Sequence, residues 1–110
     1  MNSDRRDRIR DILRTLDYCM DLQEFDLADN FEHLGHALED ILDEENEVYS
    51  KMPDNLRNSE RGKESNDAIK DLELAVSDFE FMSERLFRGD SKKSLENVIE
   101  DVKSHLSNII

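Results

Sequence analysis

A chain of 110 residues can build one modest hydrophobic core, and its composition argues against a sheet protein. Apolar residues make up 36% and charged residues 39%, with no Trp, three Gly and one Pro, which is typical of long solvated helices. The net charge of -13 disfavours direct binding of nucleic acid, and no apolar run approaches the ~20 residues that a membrane span needs.

The first predicted helix covers about residues 4–24. Ser3 is its expected N-cap, and Asp4 places a negative charge in the first turn, where it favours the helix dipole. Apolar residues then recur at the three-and-four spacing of one helical face: Ile9, Ile12, Leu13, Leu16 and Met20. The register changes around DLQEFDLADN, where Leu22 and Phe25 leave this stripe. A bend or short break is therefore expected within residues 20–28, with one continuous helix as the alternative.

The second predicted helix covers about residues 27–51. Its apolar stripe has heptad spacing and consists of Leu27, Phe31, Leu34, Leu38, Ile41, Glu45, Val48 and Met52. Glu45 is the only polar member. Heptad spacing indicates that this helix packs against another at a shallow angle.

Pro53 disfavours helix at Met52, so a hairpin connection is expected in MPDNLRNSERG. The third helix covers about residues 60–88, with Ser59 or Ser65 as its cap. Its stripe comprises Ala68, Leu72, Ala75, Phe79, Met82 and Leu86, widened by Ile69, Val76 and Phe87. Gly89 then favours a stop and Ser91 a new N-cap. The last helix, at about residues 91–109, has the stripe Leu95, Val98, Ile99, Val102, Leu106 and Ile109.

These elements predict a single all-α domain over residues 1–110. The two central helices should form an elongated antiparallel hairpin, and a shorter helix at each end should complete a three- or four-helix bundle. A stripe wider than one neighbouring helix can cover would also suit a homodimer, which stays open as an alternative.

The negative charge is concentrated in one third of the chain. Residues 15–50 contain twelve carboxylates and no Lys or Arg, whereas ordinary solvated helices intersperse both signs. We call these carboxylates the acidic belt: Asp17, Asp21, Glu24, Asp26, Asp29, Glu32, Glu39, Asp40, Asp43, Glu44, Glu45 and Glu47. All of them except Glu45, which falls in the apolar stripe, are predicted to contact a basic partner. The alternative is a solvated face that serves only solubility.

Five arginines crowd the first fourteen residues, at Arg5, Arg6, Arg8, Arg10 and Arg14. Their helical spacing from Asp4, Asp7 and Asp11 predicts the ion pairs Asp4 with Arg8, Asp7 with Arg10 and Asp11 with Arg14. Nucleic-acid binding is therefore not expected here. These arginines are better suited to dock against the acidic belt of the same chain or of a second copy.

No catalytic, cofactor or metal site is predicted. The pairs Glu44 with Glu47 and Glu64 with Asp67 superficially resemble the magnesium ligands of helical nucleotide pyrophosphatases, but 28 acids produce such pairs by chance. A carboxylate-bridged metal site needs a Glu-x-x-His motif on each of two helices, and around His33 the chain offers only a single Glu32-x-x-x-His36. The lone Cys19 cannot form an internal disulfide, and the charged start of the chain is unlike a secretory signal. We therefore expect the protein to lie in the cytoplasm with its thiol reduced.

The most distinctive stretch is LEDILDEENEVYSKMPDNLRNSERGKESNDAIKDLELAV. Its M-P-x-N-L loop and S-E-R-G helix start follow an acidic helix with an E-x-x-Y/F step. At or near the motif positions stand Glu45, Tyr49, Met52, Pro53, Asn55, Leu56, Ser59, Glu60, Arg61 and Gly62. Glu45 and Tyr49 are four residues apart, where the motif has a step of three.

From Phe31 to Leu86, about half of the chain, the sequence thereby resembles small uncharacterised helical-hairpin proteins of phages and prophages of Gram-positive bacteria. The resemblance supplies no catalytic residues. It implies a mobile-element accessory protein in the cytoplasm of a bacterial host, and such proteins often inhibit host machinery.

Together these features favour a non-enzymatic protein that blocks a basic, nucleic-acid-binding surface of a host protein. An anti-defence inhibitor, such as an anti-CRISPR or another DNA mimic, would act in this way. The alternative is a helical structural or adaptor module that pairs through its apolar stripe. No direct contact with nucleic acid or membrane is expected in either case.

Overall fold

The computed structural model describes all 110 residues, and it confirms the all-α fold. The elements are α1 (Ser3–Cys19), α2 (Glu24–Ser50), α3 (Asp54–Arg57), α4 (Glu60–Phe87), a 3₁₀ turn (Lys92–Leu95) and α5 (Glu96–Ser107). The long helices α2 and α4 pack antiparallel as a hairpin, with α1 against α2 and α5 against α4. The molecule measures 49 × 21 × 20 Å, which is the elongated shape expected of this hairpin.

The core lies between the four longer helices. The apolar side chains that the helical spacing assigned to inner faces are buried in it, including Leu38, Leu72 and Val102, which have no exposed surface. Near the middle of the core, Phe31 of α2 packs against Phe79 of α4, with ring centroids 5.8 Å apart. Burying one such side chain stabilises the fold by about 1.5–3 kcal/mol. Five stripe members depart from this pattern. Val48 is 38% exposed and Phe87 is 46% exposed, while Leu13, Met20 and Val98 are half-buried against the core.

The expected break between the first two helices is confirmed at residues 20–23. α1 ends at Cys19, earlier than the predicted end near residue 24, and α2 begins at Glu24 instead of near residue 27. The Lys92 ammonium donates hydrogen bonds of 2.9 Å to the carbonyl oxygens of Met20 and Leu22. These carbonyls have lost their helical partners, so a cation from the start of the last helical segment stabilises the break.

The N-terminal cap of α1 was predicted one residue late. Asn2, not Ser3, occupies the N-cap position, and its side-chain oxygen accepts a hydrogen bond of 2.9 Å from the backbone N–H of Arg5. Asn and Ser are nearly equal as caps, so residue type alone could not separate two such neighbours.

The hairpin tip contains a short helical turn, where the turn-forming residues had predicted a loop. α3 follows Pro53, and the Arg57 guanidinium at its end donates to the carbonyl oxygens of Ser50 and Met52 at 3.0 and 3.1 Å. In the first turn of α4, Gly62 lies against this turn, and a Cβ there would fall 2.0 Å from the carbonyl oxygen of Arg57. The glycine of the S-E-R-G start therefore permits a close backbone approach.

The remaining caps follow the prediction in part. Ser59 occupies the N-cap position of α4, but its hydroxyl donates to the carbonyl oxygen of Leu56, while Ser65 is buried farther along the helix. Gly89 follows the end of α4 with φ 99°, and Ser91 accepts a hydrogen bond of 3.4 Å from the N–H of Ser94. Because residues 92–95 form a 3₁₀ turn, α5 begins later than predicted.

Candidate functional site

The acidic belt gathers mainly on the outward side of α2. At 100° per residue, eight of its members fall within an arc of about 140° that lies opposite the buried stripe of the helix. We call these eight residues the acidic face: Asp26, Asp29, Glu32, Glu39, Asp40, Asp43, Glu44 and Glu47. Seven are exposed and Glu44 is partly so, which means that one helix positions the whole anionic surface, with no carboxylate between Glu32 and Glu39.

Four belt members lie elsewhere, so the belt as predicted is not one surface. Asp17 is on α1, where the Lys103 ammonium approaches its carboxylate to 3.3 Å. Asp21 is exposed in the break, and Glu24 begins α2 at an angle outside the acidic face. Glu45 points into the core, as its position in the apolar stripe indicated, and is 1% exposed.

Glu45 belongs to a buried polar network that joins three helices. Its carboxylate accepts a hydrogen bond of 3.0 Å from Nε of Arg5 on α1 and another of 2.8 Å from the Ser65 hydroxyl on α4. Arg5 is itself 8% exposed. A buried carboxylate without such donors would carry a large desolvation cost, so this charge is compensated within the chain.

No Lys or Arg side chain pairs with the middle of the acidic face, where the exposed His36 lies. At the C-terminal end, Arg8 reaches Glu44 at 2.7 Å and Lys51 reaches Glu47 at 2.7 Å, and nearer the start His33 lies 3.5 Å from Asp29. No ion pair involves the other five carboxylates, which are Asp26, Glu32, Glu39, Asp40 and Asp43. The face is therefore neutralised at its C-terminal end and remains anionic along its centre.

The arginines of α1 pair within the chain, which is one of the two alternatives that the sequence left open. The three predicted pairs are present, with Arg8–Asp4 at 3.5 Å and the pairs of Arg10 with Asp7 and Arg14 with Asp11 at 2.7 Å. Two further arginines cross to other helices, where Arg5 contacts Glu45 and Arg6 contacts Glu64. Together with the Arg8–Glu44 pair, these contacts fasten α1 to the C-terminal half of α2 and the start of α4.

The Arg8 guanidinium lowers the pKa of Glu44 by its hydrogen bond and its charge. A folded pKa below the unfolded value means that the pair stabilises the fold above the unfolded pKa, and that this contribution is lost as the pH falls through the folded pKa. NMR titration of the Glu44 carboxyl should therefore show a depressed pKa that rises towards the ordinary glutamate range in Arg8→Met, where only the weaker influence of Arg5 remains. Arg10→Met, which removes a local pair only, should leave it unchanged. A Glu44 titration that is insensitive to Arg8→Met would contradict the pairing.

The other residues considered from the sequence occupy separate environments. Glu44 and Glu47 pair with different cations, and Glu64 pairs with Arg6. The structure has no group of three or more His, Cys, Asp or Glu side chains that could share a metal ion. Burial raises the pKa of the Cys19 thiol, whose Sγ lies 3.3 Å from the carbonyl oxygen of Leu16.

An open groove between α2 and α4 was not predicted. Helices α1 and α5 cover one side of the hairpin, while the groove, of about 430 Å³, lies on the other between Gly35 and Ser83. At its end Phe87 packs edge-to-face on Phe25, with ring centroids 5.5 Å apart, and Phe25 is 70% exposed. The departure of Phe25 from the apolar stripes was the only sequence signal of this exposed aromatic pair.

Comparison with known proteins adds no family to these observations. No protein-family model, curated protein or solved structure shows significant similarity to this chain. None of the helices is both long and apolar enough to span a membrane.

Proposed function

We propose that the acidic face of α2 binds a basic, nucleic-acid-binding surface of a host protein and blocks it without catalysing a reaction. A phage or prophage anti-defence inhibitor, such as an anti-CRISPR or another DNA mimic, would act in this way. The observation that supports the proposal is the row of outward carboxylates without a cation of the same chain, centred on Glu39, Asp40 and Asp43. A cationic partner would gain these interactions without displacing an existing one.

The spacing of the acidic face is comparable to that of a nucleic-acid strand. From Asp26 to Glu47 the helix rises about 31 Å at 1.5 Å per residue, so the eight carboxylates average one per roughly 4.5 Å, with one wider step of about 10 Å between Glu32 and Glu39. Phosphates of one DNA strand advance about 3.4 Å per nucleotide. A surface that grips phosphates with Lys and Arg could therefore accept this helix face instead.

Charge reversal at the centre of the face is the sharpest test. Glu39, Asp40 and Asp43 are exposed and unpaired, so changing all three to Lys should leave the fold intact. Glu44 is left unchanged because it forms an ion pair with Arg8 of α1. The matched control changes Asp67, Glu96 and Asp101 to Lys; these are also exposed and without an ion pair, but lie on α4 and α5. Both variants have the same net charge of -7, from -13 plus 6.

We expect wild-type protein and the control variant to retain the same nucleic-acid-binding protein from a bacterial lysate at low salt, and to release it at high salt. The face variant should retain at least about tenfold less, because three reversed pairs at roughly 0.5–1 kcal/mol each exceed 1.4 kcal/mol. DNA should compete with the wild-type protein for the purified partner. Equal retention by both variants, or binding that is indifferent to salt and to DNA, would contradict the proposal.

The adaptor alternative would need a different surface from the one first considered. The apolar stripe of α2 is packed against α4 and α1 of the same chain, so it is not available to a partner helix. Under this alternative the face variant would bind its partner as well as the wild type does.

A further inference from the structure

The open groove combines an apolar floor with close approach of two helices. Gly35 brings α2 so near to α4 that a Cβ would lie 3.2 Å from the Cβ of Phe79. On the opposite wall, the Ser83 hydroxyl donates a hydrogen bond of 2.9 Å to the carbonyl oxygen of Ala28. The hydroxyl proton is therefore already used within the protein. The exposed Phe25 and Phe87 continue the apolar surface at the end of the groove.

Carboxylates line both rims of the groove. Glu32 stands on the α2 side, and Glu80 and Glu84 stand on the α4 side. Two basic side chains also line the groove: His36 on the α2 side, and Arg88, which pairs with Glu84. Helical spacing extends the α2 rim through Glu39 and Asp43, which belong to the acidic face, so the groove and the acidic face adjoin.

The charge of the rims decides which occupant fits. A second copy of this chain would bring its own acidic rims against these, and like charges at short distance oppose association. A segment with basic residues flanking an apolar stripe would satisfy both parts of the site. Helix-in-groove recognition commonly uses apolar anchors at positions i, i+3 or i+4, and i+7.

We propose that the groove between α2 and α4 binds a basic amphipathic helix of the partner, anchored by apolar side chains against Phe25 and Phe87. This inference rests on the proposed function, because it supplies the apolar anchor of a partner that the acidic face holds electrostatically. The ligand is therefore a helical segment of a protein.

The probe is a fluorescent synthetic helix of about 18 residues, five turns long, with Leu on one face and Lys on the other. A scrambled peptide of the same composition reports attraction by charge alone. The groove variant changes Phe25 and Phe87 to Ser, and its matched control changes Leu74 and Phe81 to Ser. Both control residues are exposed, at 51% and 44%, and face away from the groove on α4.

We expect the amphipathic peptide to bind the wild type and the control variant equally, and the groove variant at least about tenfold more weakly, since buried aromatic anchors dominate such contacts. The scrambled peptide should bind all three alike. In the wild type, the backbone amides of Gly35 and Phe87 should shift in NMR spectra as peptide is added, a result that does not depend on any variant folding.

Undiminished binding of the amphipathic peptide by the groove variant would overturn the inference, as would unshifted Gly35 and Phe87 amides. A wild-type dimer in sedimentation that the two serines dissociate would also overturn it, because a second copy would then fill the groove. These failures are distinct from failure of the proposed function, which would appear as undiminished partner retention after reversal of Glu39, Asp40 and Asp43.

Discussion

Replacing Glu45 with Ala is expected to lower the free energy of unfolding by about 3–5 kcal/mol, as is usual when one partner of a buried ion pair is removed. The carboxylate is 1% exposed and receives hydrogen bonds from Arg5 and Ser65. Its loss would leave the Arg5 guanidinium, which is 8% exposed, with only the more distant Glu44 carboxylate, 3.9 Å away, as a counter-charge. Urea denaturation followed by circular dichroism measures the change.

Two controls separate the buried charge from simple loss of contact. Glu44→Ala removes the adjacent, partly exposed carboxylate that pairs with Arg8, and should cost less than about 1 kcal/mol. The double change of Arg5 to Met and Glu45 to Leu replaces the pair with apolar side chains, and should recover most of the lost stability. A loss below about 1 kcal/mol for Glu45→Ala would show that water or backbone rearrangement compensates the arginine, contrary to the burial in the structure.

Replacing Gly62 with Ala is expected to destabilise the protein by about 1–3 kcal/mol, the usual cost of forcing extra atoms into packed space. Elsewhere in a helix the same change gains about 1 kcal/mol, since Ala is the better helix former. Here the new Cβ would lie 2.0 Å from the carbonyl oxygen of Arg57, and that atom belongs to the backbone of α3. Either the turn at the hairpin tip or the start of α4 must therefore shift.

The neighbouring Lys63→Ala is the matched control for Gly62→Ala. Lys63 is exposed in the same turn, so its replacement should change stability by less than about 0.5 kcal/mol. Thermal unfolding of the two variants gives the comparison directly. If Gly62→Ala were as stable as the wild type, α3 would not pack against α4 as the structure shows.

Local periodicity was sufficient to predict the four longer helices, because each of them buries one continuous stripe. It also identified Glu45 as the only polar residue of its stripe, but not its purpose. The partners of Glu45 are Arg5, forty residues earlier, and Ser65, twenty residues later. Contacts over such separations depend on how helices are arranged, which spacing within one helix does not encode.

Helix ends were predicted less well, for a related reason. Lys92 stabilises the break at Met20 and Leu22 from seventy or more residues away, and α3 forms where the turn formers Asp54 and Asn55 suggested a loop. The acidic belt likewise divided once the fold was known. The composition of residues 15–50 predicted an anionic surface, but only the packing of α1 on α2 determined that Glu44 is neutralised while Glu39, Asp40 and Asp43 are not.

The partner's footprint on this chain can be mapped most directly by hydrogen–deuterium exchange or amide NMR, with and without the purified partner that the pull-down provides. If the acidic face is the contact surface, protection and shifts should concentrate on residues 32–43 of α2 and disappear in the Glu39, Asp40 and Asp43 to Lys variant. A footprint on α1 or α5 that leaves residues 32–43 unchanged would contradict binding through the acidic face.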